Sequence, residues 1–473
     1  MISSRMYIDG RSVESSSKFD VINPATDEKV AVISIADRAI ANEALNAAKA
    51  AERSWSTLPV DERVEWMHKL RGAFIENEER LRMAVHIETG KSWASTGEDF
   101  QKLVDSLSFY AEEIKRFTPP QIEGTAATHK HTLKYRPVGV VVAYLSWNFP
   151  LLNLGFKLGP AMASGCPVVL KPSLKAPLSA YLVGEICEQV GLPAGCVNVI
   201  AGSDNEIGNF LSASTIPSLL TLIGSINTGV KVMQAGASSI KRYSMELGGN
   251  TPFIVYNDAD IDKAVATLIS LKYGNSGQVC VAPNRVFVQS QIKPAFVEAL
   301  VSATRAVTMG FDRDADIVMG PVIDKQSRTR IHALVADAVN KGATVLAGGS
   351  FDGDAKGAFY PPTIVSGVNS TMTIYHEEIF GPVISLIMFD DEQSVIEQAN
   401  NTDTGLASYV FTQDKAKAQR VSEQLEFGEV QINGVSYSIE LPHVGIKQSG
   451  IGCDCSKFAL DDYLYLTRVS EAI

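Results

Sequence analysis

The chain has 473 residues, of which 45% are hydrophobic and 20% are charged, and this composition is typical of a soluble globular protein with more than one domain. The formal net charge is −11 and acidic and basic residues are interspersed, which argues against nucleic acid as a partner. We expect no signal peptide and no membrane span, because the sequence lacks a signal-like N-terminus and an apolar run of about 18 residues.

The cysteine content indicates a reduced protein. Six cysteines in a chain of this length do not make a disulfide framework, so we expect a cytoplasmic location. Cys453 and Cys455 form a CxC pair, but no His or Cys cluster lies near them in the sequence. We therefore expect no metal site.

The first third of the chain is predicted to be rich in helix. We expect Asp37 to cap a helix that continues through Ala51, and Asp61 to cap a second helix. In the second helix apolar side chains recur on one face, at Val64, Met67, Leu70 and Phe74. The same pattern predicts a third helix over residues 98–117.

The segment 118–137 interrupts the helical pattern. Turn residues lie at both of its ends, and the tract 129–135 between them alternates in polarity. This arrangement predicts an extended arm or hairpin outside the core.

Strands and helices alternate after Pro137. The predicted strands are near-continuous apolar runs, as expected for buried parallel strands, at residues 138–145, 167–170, 197–200, 219–223, 252–256 and 285–289. Helical segments such as 180–189 and 264–273 separate them. The alternation predicts two doubly wound α/β domains.

Six short motifs follow or precede these strands. They are SWNFP (146–150), LKPS (170–173), IGSINTG (223–229), MELGGN (245–250), NSGQVC (275–280) and EEIFGP (377–382). Open α/β sheets bind ligands where their strands end. Taken singly, each motif also has a plain structural interpretation, such as a turn, a helix cap or a solvated side chain.

Three of these motifs contain residues suited to covalent catalysis. Asn148 offers a side-chain amide to an oxyanion, Glu246 is a possible general base, and Cys280 is a possible nucleophile. A lone cysteine, however, more often packs as a small apolar side chain.

In their joint order the motifs resemble those of the NAD(P)-dependent aldehyde dehydrogenases, and the likeness extends from NPAT near the N-terminus to VGIKQSGIG near the C-terminus. The resemblance implies an α/β fold in three parts. These are a Rossmann-like cofactor domain (residues 1–119 and 138–247), an α/β catalytic domain (248–447) and a small β oligomerisation arm (120–137 and 448–473). It also implies a homodimer or homotetramer.

The resemblance further implies a covalent mechanism. The thiolate of Cys280 attacks a small-molecule aldehyde, Asn148 and the backbone N–H of Cys280 hold the oxyanion, and Glu246 activates water to release the acid. The implied cofactor-binding residues for NAD(P)+ are Leu145, Ser146, Trp147, Lys171, Ser173, Leu174, Gly224, Ser225, Leu247, Glu378 and Phe380.

Three departures from the family pattern bear on specificity. Leu174 stands where NAD-specific members commonly have Glu, so we expect NADP+ to be accepted or preferred. Phe156 stands where enzymes for succinic semialdehyde often have Arg, whereas Arg285 matches an Arg that those enzymes use for the substrate carboxylate. The usual PFGG is PHVG here, and we interpret His443 as a repacked loop residue.

The sequence therefore leaves two substrate classes possible. One is a small semialdehyde such as succinic semialdehyde, and the alternative is an apolar or aromatic aldehyde. A CoA-acylating or non-catalytic member of the fold is disfavoured, because Cys280, Glu246 and Asn148 are all present.

Overall fold

The computed structural model describes residues 5–122 and 128–473. Its strands, in chain order, are β1 (Met6–Ile8), β2 (Arg11–Val13), β3 (Lys18–Ile22), β4 (Lys29–Ser34), β5 (His129–Pro137), β6 (Val141–Leu145), β7 (Val168–Pro172), β8 (Val197–Val199), β9 (Leu219–Ile223), β10 (Arg242–Glu246), β11 (Pro252–Val255), β12 (Arg285–Gln289), β13 (Thr344–Ala347), β14 (Thr363–Ser366), β15 (Val383–Phe389), β16 (Thr404–Gly405), β17 (Ala407–Phe411), β18 (Glu429–Ile432), β19 (Ile446–Lys447), β20 (Gly450–Ile451) and β21 (Leu464–Ala472).

Its helices are α1 (Arg38–Thr57), α2 (Val60–Glu76), α3 (Glu78–Thr89), α4 (Trp93–Arg116), α5 (Pro150–Ser164), α6 (Leu178–Val190), α7 (Asn209–Ala213), α8 (Ile226–Gly236), α9 (Ile261–Tyr273), α10 (Lys293–Arg305), α11 (Lys325–Asn340), α12 (Thr373–His376), α13 (Glu392–Asn400), α14 (Lys415–Ser422) and α15 (Leu460–Tyr463). None of the helices in these ranges has the length and hydropathy needed to cross a bilayer.

The first large sheet has the strand order β2-β1-β8-β7-β6-β9-β10-β20. Strands β8, β7, β6, β9 and β10 run parallel, and most of their residues are buried, because helices cover both faces of such a sheet. The antiparallel strand β20 closes the edge next to β10, although it comes about 200 residues later in the chain.

The second large sheet has the order β13-β14-β15-β12-β11-β17-β18 and is parallel except for β13. Separate hydrophobic clusters pack on its two faces. These two sheets confirm the predicted α/β fold, whereas the predicted domain boundaries stay a prediction.

A two-stranded ribbon lies apart from both sheets. It pairs β5 with β21 in antiparallel register, from Leu464 opposite Pro137 to Ala472 opposite His129. The predicted extended tract 129–135 is thus a strand whose partner is the C-terminal segment. Residues 123–127 of the predicted arm lie outside the described residues.

Two details of the helical prediction need correction. Asp37 does cap α1, accepting the N–H of Ile40, but α1 continues to Thr57. Pro59 rather than Asp61 stands at the N-cap of α2, since the chain is already helical at Val60. The strands β1 to β4 were not predicted, because strands of three to six residues lack a long apolar run. Helix α3 was not predicted either.

Candidate active site

Cys280 lies in a tight loop between α9 and β12. The loop begins with a single helical turn in which Asn275 and Ser276 have positive φ values of 47° and 56°. The side-chain amide of Asn275 donates to the carbonyl of Asn148 (2.9 Å), and Ser276 donates to the carbonyl of Gly320 (2.7 Å). These bonds hold the strained turn and thereby position the half-buried thiol.

The structure brings Asn148 and Glu246 to Cys280. Asn148 follows β6 and Glu246 ends β10, so both come from the carboxyl ends of parallel strands of the first sheet. The Nδ2 of Asn148 donates to the carbonyl of Gln278 (3.0 Å), and its Oδ1 accepts from Asn153 (3.3 Å). One N–H of the Asn148 amide is therefore free for a ligand.

Two clefts meet at these three residues. The first, here called the apolar cleft, has a volume of about 520 Å³, and the second, the polar cleft, about 290 Å³. Asn148, Glu246 and Cys280 line both. A group bound in either cleft therefore reaches the thiol from its own side.

The polar cleft contains six of the predicted cofactor residues, namely Ser146, Trp147, Gly224, Ser225, Glu378 and Phe380. Ser225 caps α8, its Oγ accepting the N–H of Thr228 (3.2 Å), so the positive end of that helix lies at the cleft wall. Helix N-termini of this kind bind phosphate groups. The cleft thus has the donors that a dinucleotide pyrophosphate needs.

Glu378 supplies a carboxylate to the same cleft. Its Oε1 accepts the backbone N–H of Gly249 (3.2 Å), and a Cβ at Gly248 would lie only 2.4 Å from its Oε2. Burial raises the pKa of Glu378 to about 7, while the bond from Gly249 acts in the opposite direction. A carboxylate held in this way can accept hydrogen bonds from the hydroxyls of a ribose, so the residues present fit a nicotinamide dinucleotide.

The other predicted cofactor residues lie outside the wall of the polar cleft: Leu145, Lys171, Ser173, Leu174 and Leu247. The ammonium group of Lys171 forms an ion pair with Asp204, whose side chain is 76% exposed. No sequence signal marks Asp204 as the partner of Lys171, because the two residues lie 33 positions apart.

The apolar cleft is lined mainly by hydrophobic side chains, among them Leu152, Phe156, Val279, Tyr437, Ile439 and Leu441. Phe156 is thus one of the residues in the wall of this cleft. Of the described residues in this lining, Lys102 is the one lysine or arginine. Its Nζ donates to the carbonyl of Tyr437 (3.2 Å), 335 positions away, so the sequence carried no signal for it.

Arg285 requires a correction, because it does not reach the apolar cleft. It is fully buried, and its guanidinium donates to the backbone carbonyls of Asn250, Gln398 and Ala399 at 2.8 Å. These bonds join the start of β12 to the end of α13. Arg285 is therefore a structural residue and not a substrate ligand.

His443 also differs from its interpretation as a loop residue. Its ring is 13% exposed, with Nδ1 bonded to Glu429 and Nε2 3.3 Å from the carboxylate of Glu246. A ring nitrogen of His443, the Sγ of Cys280 and a carboxylate oxygen of Glu246 all lie within 4.8 Å of one another. The imidazole is thus part of the site.

The electrostatics around Cys280 oppose its ionisation. Burial raises the pKa of the thiol to about 12, the negative charge of Glu246 acts in the same direction, and the hydrogen bond with His443 acts against both. The resting thiol is therefore protonated at neutral pH.

Comparisons with known proteins agree with this geometry. The model of the aldehyde dehydrogenase family matches residues 12–469. A mitochondrial succinate-semialdehyde dehydrogenase of Oryza sativa subsp. japonica is 38% identical, and the match covers 98% of this chain and 86% of the relative. A 3-sulfolactaldehyde dehydrogenase of Pseudomonas putida is 36% identical, and the match covers 99% of this chain and 97% of the relative. The crystal structure of an Escherichia coli NADP-dependent enzyme superimposes with a TM-score of 0.97 at 35% identity, covering 100% of this chain and 98% of that one.

We expect Arg285→Met to lower the free energy of unfolding by about 3 kcal/mol or more, because buried carbonyls lose a charged donor. Denaturant unfolding monitored by fluorescence measures this loss. Arg420→Met is the matched control, since Arg420 forms an exposed pair with Glu392 that contributes less than about 1 kcal/mol. Equal unfolding curves for Arg285→Met and the parent would contradict the structural role.

Proposed function

The chain belongs to the aldehyde dehydrogenase family, and from that premise we propose that it oxidises a small semialdehyde to the carboxylic acid with NAD(P)+ through a cysteine thioester. The observation that carries the proposal is the meeting of the two clefts at Cys280. The polar cleft suits the dinucleotide, and the apolar cleft suits the carbon chain of the aldehyde.

In the first half of the reaction Cys280 attacks the aldehyde carbon. The S–C bond forms as the thiol proton leaves, and the carbonyl oxygen becomes an oxyanion. The free N–H of the Asn148 amide and the backbone N–H of Cys280 stabilise that oxyanion. NAD(P)+ in the polar cleft supplies the hydride acceptor.

In the second half Glu246 acts on water. Loss of hydride from the carbon attached to Sγ leaves a thioester, which a water molecule attacks while Glu246 takes its proton. The carboxylic acid leaves and the Cys280 sulfur is regenerated. Because Glu246 lies beside the thiol, the proposal favours hydrolysis over transfer to a CoA thiol.

Lys102 supports an anionic substrate. It is the one lysine or arginine that the described residues place in the wall of the apolar cleft, and it suits the terminal carboxylate of a semialdehyde. The two relatives are named for succinate semialdehyde and 3-sulfolactaldehyde, which both carry an anionic group. The mainly hydrophobic lining is the observation that favours the second candidate, an apolar or aromatic aldehyde.

The surroundings of Lys171 bear on the choice between the two cofactors. With Leu174 in place of an acidic residue, nothing at that position repels a 2′-phosphate. Asp204 nevertheless neutralises Lys171, and Lys175 pairs with Asp324 (2.7 Å). We propose that the chain uses NADP+, with Asp204 limiting the preference.

The ribbon β5–β21 supports assembly into a homodimer or homotetramer. It exposes Tyr465, Leu466 and Val469, each at 41% or more, on strands that lie outside both large sheets. The cysteines of the described residues are unpaired, which supports a reducing, cytoplasmic compartment.

We expect the purified protein to reduce NAD(P)+ with succinic semialdehyde, followed as NAD(P)H absorbance against butanal and benzaldehyde. Cys280→Ala removes the nucleophile and should abolish turnover. Glu246→Gln should lower the steady rate by about 10²–10⁴-fold, because no carboxylate remains to activate the water that releases the acid. Undiminished turnover by Cys280→Ala would refute the mechanism.

We expect Lys102→Met to lower kcat/KM for succinic semialdehyde by roughly tenfold, because a charge-assisted contact contributes about 1.5 kcal/mol or more. The rate with butanal, which has no anionic end, should stay unchanged. Lys102→Arg, which keeps the charge, is the matched control. Equal losses with both aldehydes would favour the apolar substrate instead.

We expect Asp204→Asn to raise kcat/KM for NADP+ relative to NAD+ by about fivefold, because it frees the charge of Lys171 for the 2′-phosphate. The Lys171 ammonium is buried, but solvent at the 76% exposed Asp204 side chain screens the pair, so its contribution is about 1 kcal/mol. Initial rates with each cofactor at saturating aldehyde measure the ratio. Asp27→Asn breaks the exposed pair with Lys325 and serves as the control. An unchanged ratio would argue against this use of Lys171.

A further inference from the structure

The backbone around His443 is fixed on several sides. Its N–H and C=O exchange hydrogen bonds with Asp454 at 2.8 and 3.0 Å, and the carboxylate of Asp454 is bound by the buried ammonium of Lys157 at 2.6 and 2.7 Å. A Cβ at Gly428 would lie 1.7 Å from the carbonyl oxygen of Val444, so only glycine allows the loop to approach β18 this closely. The imidazole therefore enters the site at a defined place.

Each ring nitrogen of His443 faces an acidic group. Nδ1 is bonded to Glu429, which leaves Nε2 for Glu246 and Cys280. A neutral imidazole has a single N–H and satisfies one carboxylate, whereas an imidazolium donates on both sides. Burial alone lowers the pKa of His443, but its hydrogen bonds with Cys280, Glu246 and Glu429 outweigh burial and hold the pKa well above the ordinary value.

The remaining titratable groups near the ring are neutral or already paired. Burial raises the pKa values of Tyr409, Tyr437 and Cys455, so these groups stay protonated. Asp454 is neutralised by Lys157. The ring of His443 thus lies between the two carboxylates of Glu246 and Glu429, beside the Sγ of Cys280.

We propose that His443, oriented by Glu429, is a catalytic residue. Its imidazolium stabilises the negative charge, which lies on Glu246 before the proton transfer and on the sulfur of Cys280 after it. The S–H bond of Cys280 breaks, an O–H bond forms on Glu246, and the charge moves from the carboxylate to the sulfur. Nε2–H stays within reach of both atoms throughout. The proton on Glu246 then passes to solvent water before Glu246 serves as base. This role deepens, and rests on, the proposed covalent mechanism.

The test is alkylation of Cys280 by iodoacetamide across the pH range, with no aldehyde and no cofactor. Mass spectrometry of the Cys280 peptide gives the rate at that site, and Cys280→Ala gives the background from the other cysteines. His443→Phe removes the charge and the hydrogen bonds, and His443→Gln removes the charge but keeps a polar side chain. His68→Gln, at an exposed helix position, is the matched control.

We expect the midpoint of the alkylation profile to move to higher pH in His443→Phe and His443→Gln. Since a lost cation destabilises the thiolate, a shift of about one pH unit makes alkylation at neutral pH about tenfold slower. Glu429→Gln should move the profile in the same direction by less. Profiles that superimpose on that of the parent, in folded variants, would overturn the proposal.

His443→Gly separates charge from packing. Added imidazole, which can become protonated, should restore fast alkylation, whereas pyrazole of the same size stays neutral and should not. Equal rescue by both compounds would show that the ring only fills space and would overturn the proposal. If the alkylation profile shifts in the His443 variants but the parent turns over no aldehyde, the proposed function is refuted, whereas the effect of His443 on Cys280 is supported.

Discussion

Burying a thiol beside a carboxylate suppresses its ionisation, and the organisation of this site follows from that constraint. With the pKa of Cys280 at about 12, a free thiolate is rare at neutral pH. A buried site that uses the sulfur as a nucleophile therefore needs a cation within hydrogen-bonding distance. A ring nitrogen of His443 lies within 4.8 Å of the sulfur, and Glu429 and the loop around Asp454 hold the ring there.

The two large sheets position the other residues of the site. The first sheet contributes Asn148 and Glu246 from the ends of β6 and β10, while the loop before β12 of the second sheet contributes Cys280. Neither sheet alone builds the site. Cys280 lines both clefts because its loop lies where the two sheets meet.

Local sequence patterns predicted the parallel strands, because apolar runs such as β6, β9 and β11 are buried on both faces. The order of the motifs identified Cys280, Glu246 and Asn148 as partners. Predictions failed where a residue acts through contacts distant in sequence. Arg285 binds carbonyls more than 100 positions away, and the partners of His443 lie on β10 and β18. No local pattern records such contacts.

The ion pair between Lys157 and Asp454 joins residues 297 positions apart. Strand β20, which completes the first sheet, lies just before Asp454 in the chain. During synthesis at about 5–20 residues per second, the edge strand β10 thus waits roughly 10–40 s for β20. Until then the edge of β10 is uncovered, and the buried ammonium of Lys157 lacks its counter-charge. Exposed strand edges are prone to wrong pairing, and the late strand β20 ends that exposure.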